Sequence, residues 1–108
     1  MERVLFLAQR LTAMLLAPLV LVHLGLVLVA IRDGLTAAEI LGRTQGSAGW
    51  ALFYGIFVLA VAVHAPIGVR NVLRETTPLP RGTVDGITLV FALVLLALGS
   101  RAVWAVVA

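Results

Sequence analysis

The chain contains no cysteine. Disulfides, thiolate metal sites, cysteine-held clusters and covalent c-type haem attachment are therefore excluded, and any iron it holds must be bound by histidine, methionine or tyrosine. Lysine is missing as well: the eight cations are all arginines, Arg3, Arg10, Arg32, Arg43, Arg70, Arg74, Arg81 and Arg101. Charge of either sign is scarce, at 12% of 108 residues, while 62% are hydrophobic, which rules out a water-soluble domain of this size. The formal net charge of +3 is scattered among the ends of the apolar segments. That pattern fits membrane topology and contact with lipid head groups, and it argues against nucleic acid as a partner.

What is present is three long apolar runs. Leu11 to Ile31 is interrupted only by Thr12, Pro18, His23 and Gly25, and exceeds the roughly 20 residues needed to cross a bilayer. It is also longer than the roughly 7–15 residues of a signal-peptide core, and no small-x-small cleavage site follows before Arg32, so it reads as a first span. Trp50 to Val69 forms the second, with Pro66 inside it; the missing N–H frees the carbonyl of Ala62 and predicts a kink near His64. Gly86 or Ile87 to Val107 makes the third, where Gly99 and Ser100 supply small residues for close helix contact. The helices these runs predict cover about residues 4–31, 50–73 and 86–107.

Between the runs, Arg32-Asp33-Gly34 breaks the first span, and Thr36-Ala37-Ala38-Glu39 has the spacing of a capping box. A short interfacial helix over about residues 36–42 is expected, then a turn region from Gly42 to Gly49. Arg70 to Asp85 reads as a polar connector that Pro78 and Pro80 hold extended. The expectation is an all-α membrane protein, one membrane-anchor domain over residues 1–108 with three transmembrane helices. Three spans enclose little volume, so a site of any size needs helices from another chain, and the protein is expected to be part of a heteromeric helix bundle. Arg3, Arg10, Arg70, Arg74 and Arg81 outnumber Arg32, Arg43 and Arg101, which places the N-terminus in the cytoplasm and the C-terminus outside. Trp50 and Trp104 then fall at the outer interface, where aromatic belts form.

An imidazole inside a membrane span is costly unless it faces a partner group, a cofactor or a water-filled cavity. His64 lies on the order of 9 Å from the level of Arg70, and His23 on the order of 20 Å from that of Arg10, so the two are offset along the membrane normal and would not clasp one iron. Gly68, one turn beyond His64, would let a flat macrocycle approach the backbone, and Asn71 shares that face and could bond a propionate or a quinone oxygen. Arg70 marks where the helix emerges among lipid head groups and phosphate-like or carboxylate groups. Arg10 reads either as a snorkelling anchor or as a fixed charge for haem propionates or a reduced quinone oxygen. The plainer alternative for both histidines is a hydrogen bond between helices.

His64-x-x-x-Gly68-Val69-Arg70-x-x-x-x-Glu75 resembles the signature in the second helix of the cytochrome b membrane-anchor subunit of succinate dehydrogenase and fumarate reductase. Gln9-Arg10-Leu11-Thr12-Ala13 is similar to that family's motif at the start of the first helix. The resemblance spans nearly the whole chain. It departs from the family at Ala13, where glycine is usual, at Asn71, where many members have a second histidine, and at Phe6, where some have a quinone-binding serine. What it implies is an anchor that docks a flavoprotein subunit and an iron–sulfur subunit, pairs with a second three-helix anchor, and shares with it a haem b and a quinone site. His64 would be one axial haem ligand, with Arg10 near the propionates and the quinone. His23 would serve a second haem in two-haem members. The quinone would be ubiquinone or menaquinone, and the location a bacterial inner membrane. The competing expectation, from a different class, is a haemless helical scaffold or small transporter subunit.

Overall fold

The computed structural model describes residues 2–108, which form four helices and no strand: α1 (Glu2–Asp33), α2 (Ala37–Thr44), α3 (Ala48–Thr76) and α4 (Arg81–Val107). By length and composition α1, α3 and α4 can each cross a membrane. At about 1.5 Å per residue the 32 residues of α1 match the 48 Å long axis of the molecule. Pro18 and Pro66 both lie inside helices, as membrane spans tolerate.

The terminators are local. Gly34 adopts φ +136°, and its N–H closes α1 by donating to the carbonyl of Ala30 at 2.8 Å. That backbone conformation favours glycine, and a Cβ there would also displace the Glu39 carboxylate. The expected capping box is formed: Glu39 N–H donates to Thr36 Oγ1 at 3.2 Å, and Thr36 N–H donates to Glu39 Oε2 at 3.2 Å. Arg43 then reaches back to the carbonyl of Gly34 at 2.9 Å, tying α2 to the end of α1.

The polar connector between the second and third spans is much shorter than Arg70 to Asp85. Helix α3 runs on to Thr76 and α4 starts at Arg81, leaving residues 77–80 as the link. The sequence over residues 70–76, Arg-Asn-Val-Leu-Arg-Glu-Thr, holds good helix formers, and polarity alone does not end a helix that is leaving the membrane. The stop comes where Thr77 precedes Pro78 and is driven to extended backbone, φ −129° and ψ 154°. Pro80 presets the entry into α4.

Helix α3 is central. It packs against both α1 and α4, which have few contacts with each other. In the most apolar stretch of α3 22% of residues are buried, against 6% in α1 and none in α4. At Gly99 α4 packs tightly against α3: a Cβ there would stand 2.6 Å from a methyl of Val58.

Each end of the trio has its own tie. At the end carrying residue 2, the Arg70 guanidinium is buried and donates from Nε to Asp85 at 2.9 Å and from Nη2 to Glu2 at 2.9 Å, so one side chain of α3 holds carboxylates from α4 and α1. Arg74 adds a second bond to Glu2 at 2.8 Å. At the opposite end the α2–α3 turn supplies donors to the last carbonyls of α4. Thr44 Oγ1 reaches Val106 at 2.6 Å, Gly46 N–H reaches Val107 at 2.7 Å and Gln45 Nε2 reaches Ala108 at 2.9 Å. These are groups a helix end leaves open and something else must satisfy.

Candidate functional site

Two recesses lie on the bundle, and each holds one of the histidines. The first is a groove of about 410 Å³ at the Arg70 end, lined by Gln9 of α1 and by His64, Ala65, Gly68, Val69, Val72 and Leu73 of α3. His64 is half-buried and its Nδ1 lies 3.2 Å from Thr12 Oγ1. The same hydroxyl is 2.6 Å from the carbonyl of Ala8 and 3.1 Å from that of Gln9. No hydrogen bond within the described residues engages the other ring nitrogen, Nε2. Gly68 keeps the wall open one turn on: a Cβ there would stand 3.4 Å from Gln9 Nε2. Gln9 itself carries a buried Oε1 with no partner.

The other residues expected at this site are placed apart from it. Asn71 is exposed and does not line the groove, whose far wall is Val72 and Leu73. Arg70 is committed to Glu2 and Asp85. Arg10 is exposed, pairs with no carboxylate among the described residues, and lies 5.7 Å from the centroid of Phe6, the aromatic residue one turn before it.

The second recess, about 450 Å³, opens between α1, α3 and α4 toward the other end, with α2 beneath it. His23 reaches it between aromatic edges: Tyr54 at 5.8 Å and 89°, Phe57 at 5.4 Å and 79°. Its Nδ1 is buried without a partner. Apart from His23, Arg43, Thr44, Trp50 and Tyr54 the walls are aliphatic, aromatic or glycine. Thr12, the partner of His64, and His23 are eleven positions apart on α1, roughly 16 Å along the axis, so the imidazoles stand at different depths.

Among the described residues no three of His, Cys, Asp and Glu gather as a metal cage. A single imidazole per helix suits an iron whose four equatorial ligands come from a macrocycle, and a second axial ligand would have to come from elsewhere.

The sequence pointed to His64 and Gly68, but it gave no role to Glu2, Gln9 or Thr12. A usable signal was there: at about 100° per residue Glu2, Gln9, Thr12 and His23 fall within an arc of roughly 80° on α1, while Arg10 lies well outside it. That polar stripe faces α3, and Arg10 does not.

Fold and site together define an all-helical protein with three candidate membrane spans and an imidazole on an open groove near one end. The sequence model of the succinate dehydrogenase/fumarate reductase transmembrane subunit family matches residues 2–100, and the chain belongs to that family. No curated protein and no solved structure matches the chain.

Proposed function

We propose that the chain is a haem b-holding membrane anchor of a succinate:quinone oxidoreductase, with His64 as an axial ligand to the iron. One observation carries this reading: His64 is held by Thr12 through Nδ1 and keeps Nε2 uncommitted beside a groove that Gly68 leaves open. The donor set fits the group, since neutral imidazole nitrogen is the usual ligand of an electron-transfer haem. When bound, the haem supplies a one-electron carrier within the membrane.

The chain's own residues would then divide the work. His64 binds the iron, and Gly68 lets the macrocycle edge near the α3 backbone. Gln9 offers the groove a polar atom that the protein leaves unmatched. Arg10 lies apart from the groove and pairs with no carboxylate among the described residues, so it would be free to meet a propionate or the oxygen of a quinone, ubiquinone or menaquinone beyond the groove. A second three-helix anchor would supply the other axial ligand. Flavoprotein and iron–sulfur subunits would dock at the Arg70 end, on the cytoplasmic side of a bacterial inner membrane. A second haem at His23 belongs to the same proposal; there the ring is clasped by Tyr54 and Phe57 and has no hydrogen-bond acceptor at Nδ1.

A second reading, a haemless scaffold, is favoured by the same Thr12 bond, which already joins α1 to α3. Purified complex is expected to show a reducible b-type absorption band that His64→Ala abolishes or shifts. An unchanged band in that variant rejects the ligand, and a complex of native subunit ratio with no band at all leaves the scaffold.

A further inference from the structure

The geometry points to Thr12 as the residue that fixes which nitrogen of His64 is free to bind iron. The inference rests on the haem reading above and adds a positioning residue on a different helix from the ligand. A threonine hydroxyl has one hydrogen and two lone pairs. At 2.6 Å from the carbonyl of Ala8 the hydroxyl must direct its hydrogen there, because two acceptor oxygens at that separation would repel without it. The carbonyl of Gln9, at 3.1 Å, takes at most a share of the same hydrogen. What Thr12 presents to His64 Nδ1 at 3.2 Å is therefore a lone pair.

The bond across the helices then requires a proton on Nδ1. In a neutral imidazole that leaves the lone pair on Nε2, the nitrogen with no hydrogen-bond partner among the described residues. Thr12 thus sets the ligating tautomer before any iron arrives, and it limits rotation of the ring. An acceptor on the far nitrogen also makes an imidazole a better electron donor. The backbone of α1 completes the chain of bonds, since the Ala8 carbonyl orients the hydroxyl that orients the ring. His23 has no such arrangement, its Nδ1 being buried without an acceptor.

The test compares Thr12→Val, Thr12→Ser and Thr12→Ala in the assembled complex, reading haem content per flavin, haem midpoint potential and the g values of the ferric haem. Valine keeps the shape and removes the acceptor. The expected result is a potential displaced upward, altered g values and roughly tenfold weaker haem retention, with serine restoring the native values. Alanine, a good helix former, is expected to behave as valine does, and it carries the test where the branched side chain prevents assembly. Native potential, g values and haem retention in the assembled valine or alanine variant would overturn the role of Thr12. Altered values in the serine variant as well would also overturn it, because they would reflect packing instead of the hydroxyl. Failure of the haem reading looks different: His64→Ala would then keep the native spectrum whatever Thr12 does.

Discussion

Arg10 and Arg70 carry the same charge and meet opposite circumstances. The guanidinium of Arg70 is enclosed and receives two carboxylates, whereas that of Arg10 lies exposed with only the ring of Phe6 nearby. A bidentate fork held by Glu2 and Asp85 has little left to offer a ligand. Of these two, Arg10 is the cation that pairs with no carboxylate among the described residues. Arg10→Leu is accordingly expected to slow quinone reduction by about tenfold, the worth of one hydrogen bond to a charged group, while succinate oxidation with a soluble dye stays intact. Comparing the two assays in membranes checks this, and an equal loss of both would mean failed assembly. From the sequence the two arginines looked alike, each a cation at a span boundary. The partners that separate them sit on other helices, 68 and 15 positions from Arg70, and composition holds no record of that pairing. Thr12 stood in the first-helix motif without a stated role, because its partner His64 is brought to it only by the neighbouring helix.

Among the elements, α3 and α4 depend on a missing side chain. Gly99 lets the backbone of α4 come up against Val58, and a β-branched valine on a helix has almost no alternative rotamer with which to yield. Gly99→Ala is expected to weaken this pair by about 1–3 kcal/mol, and Val58→Ala in the same chain to recover most of the loss. Reversible unfolding in detergent, run as a double-mutant cycle, measures it; additive losses would remove the proposed contact. The small-residue motif at Gly99 was legible because close approach needs it wherever the partner is. The start of α2 was equally legible, since a capping box is made within four residues. The length of α3 was not: Arg70 to Thr76 is polar, and polarity marks the exit from lipid without marking the end of a helix. Residue preference and the Thr77-Pro78 step decided that boundary.

For the molecule as a whole, the two ends differ in chemistry. Glu2, Arg70, Arg74 and Asp85 gather at one, and at the other the α2 turn clasps α4 beside Trp50. By the count of arginines the charged end is expected to face the cytoplasm. Because the chain has no native cysteine, single reporters can be introduced without background. Gln45→Cys is expected to react with a membrane-impermeant maleimide in intact cells, and Pro78→Cys only after permeabilisation. The reverse pattern would invert the topology and place the groove of His64 near the outer face.

Helix α1 is moored to α3 at two depths, by Glu2 on Arg70 and by Thr12 on His64. The moorings are ten residues apart along α1, roughly 15 Å, and six along α3, roughly 9 Å, with the reach of the arginine making up the mismatch. Such a pair works as a vernier. One extra residue between positions 2 and 12 would advance the helical phase by about 100°, so that only one of the two could engage at a time. An insertion or deletion between the two moorings is therefore expected to cost one of them, whereas exchanges of lipid-facing side chains at constant count leave both in register.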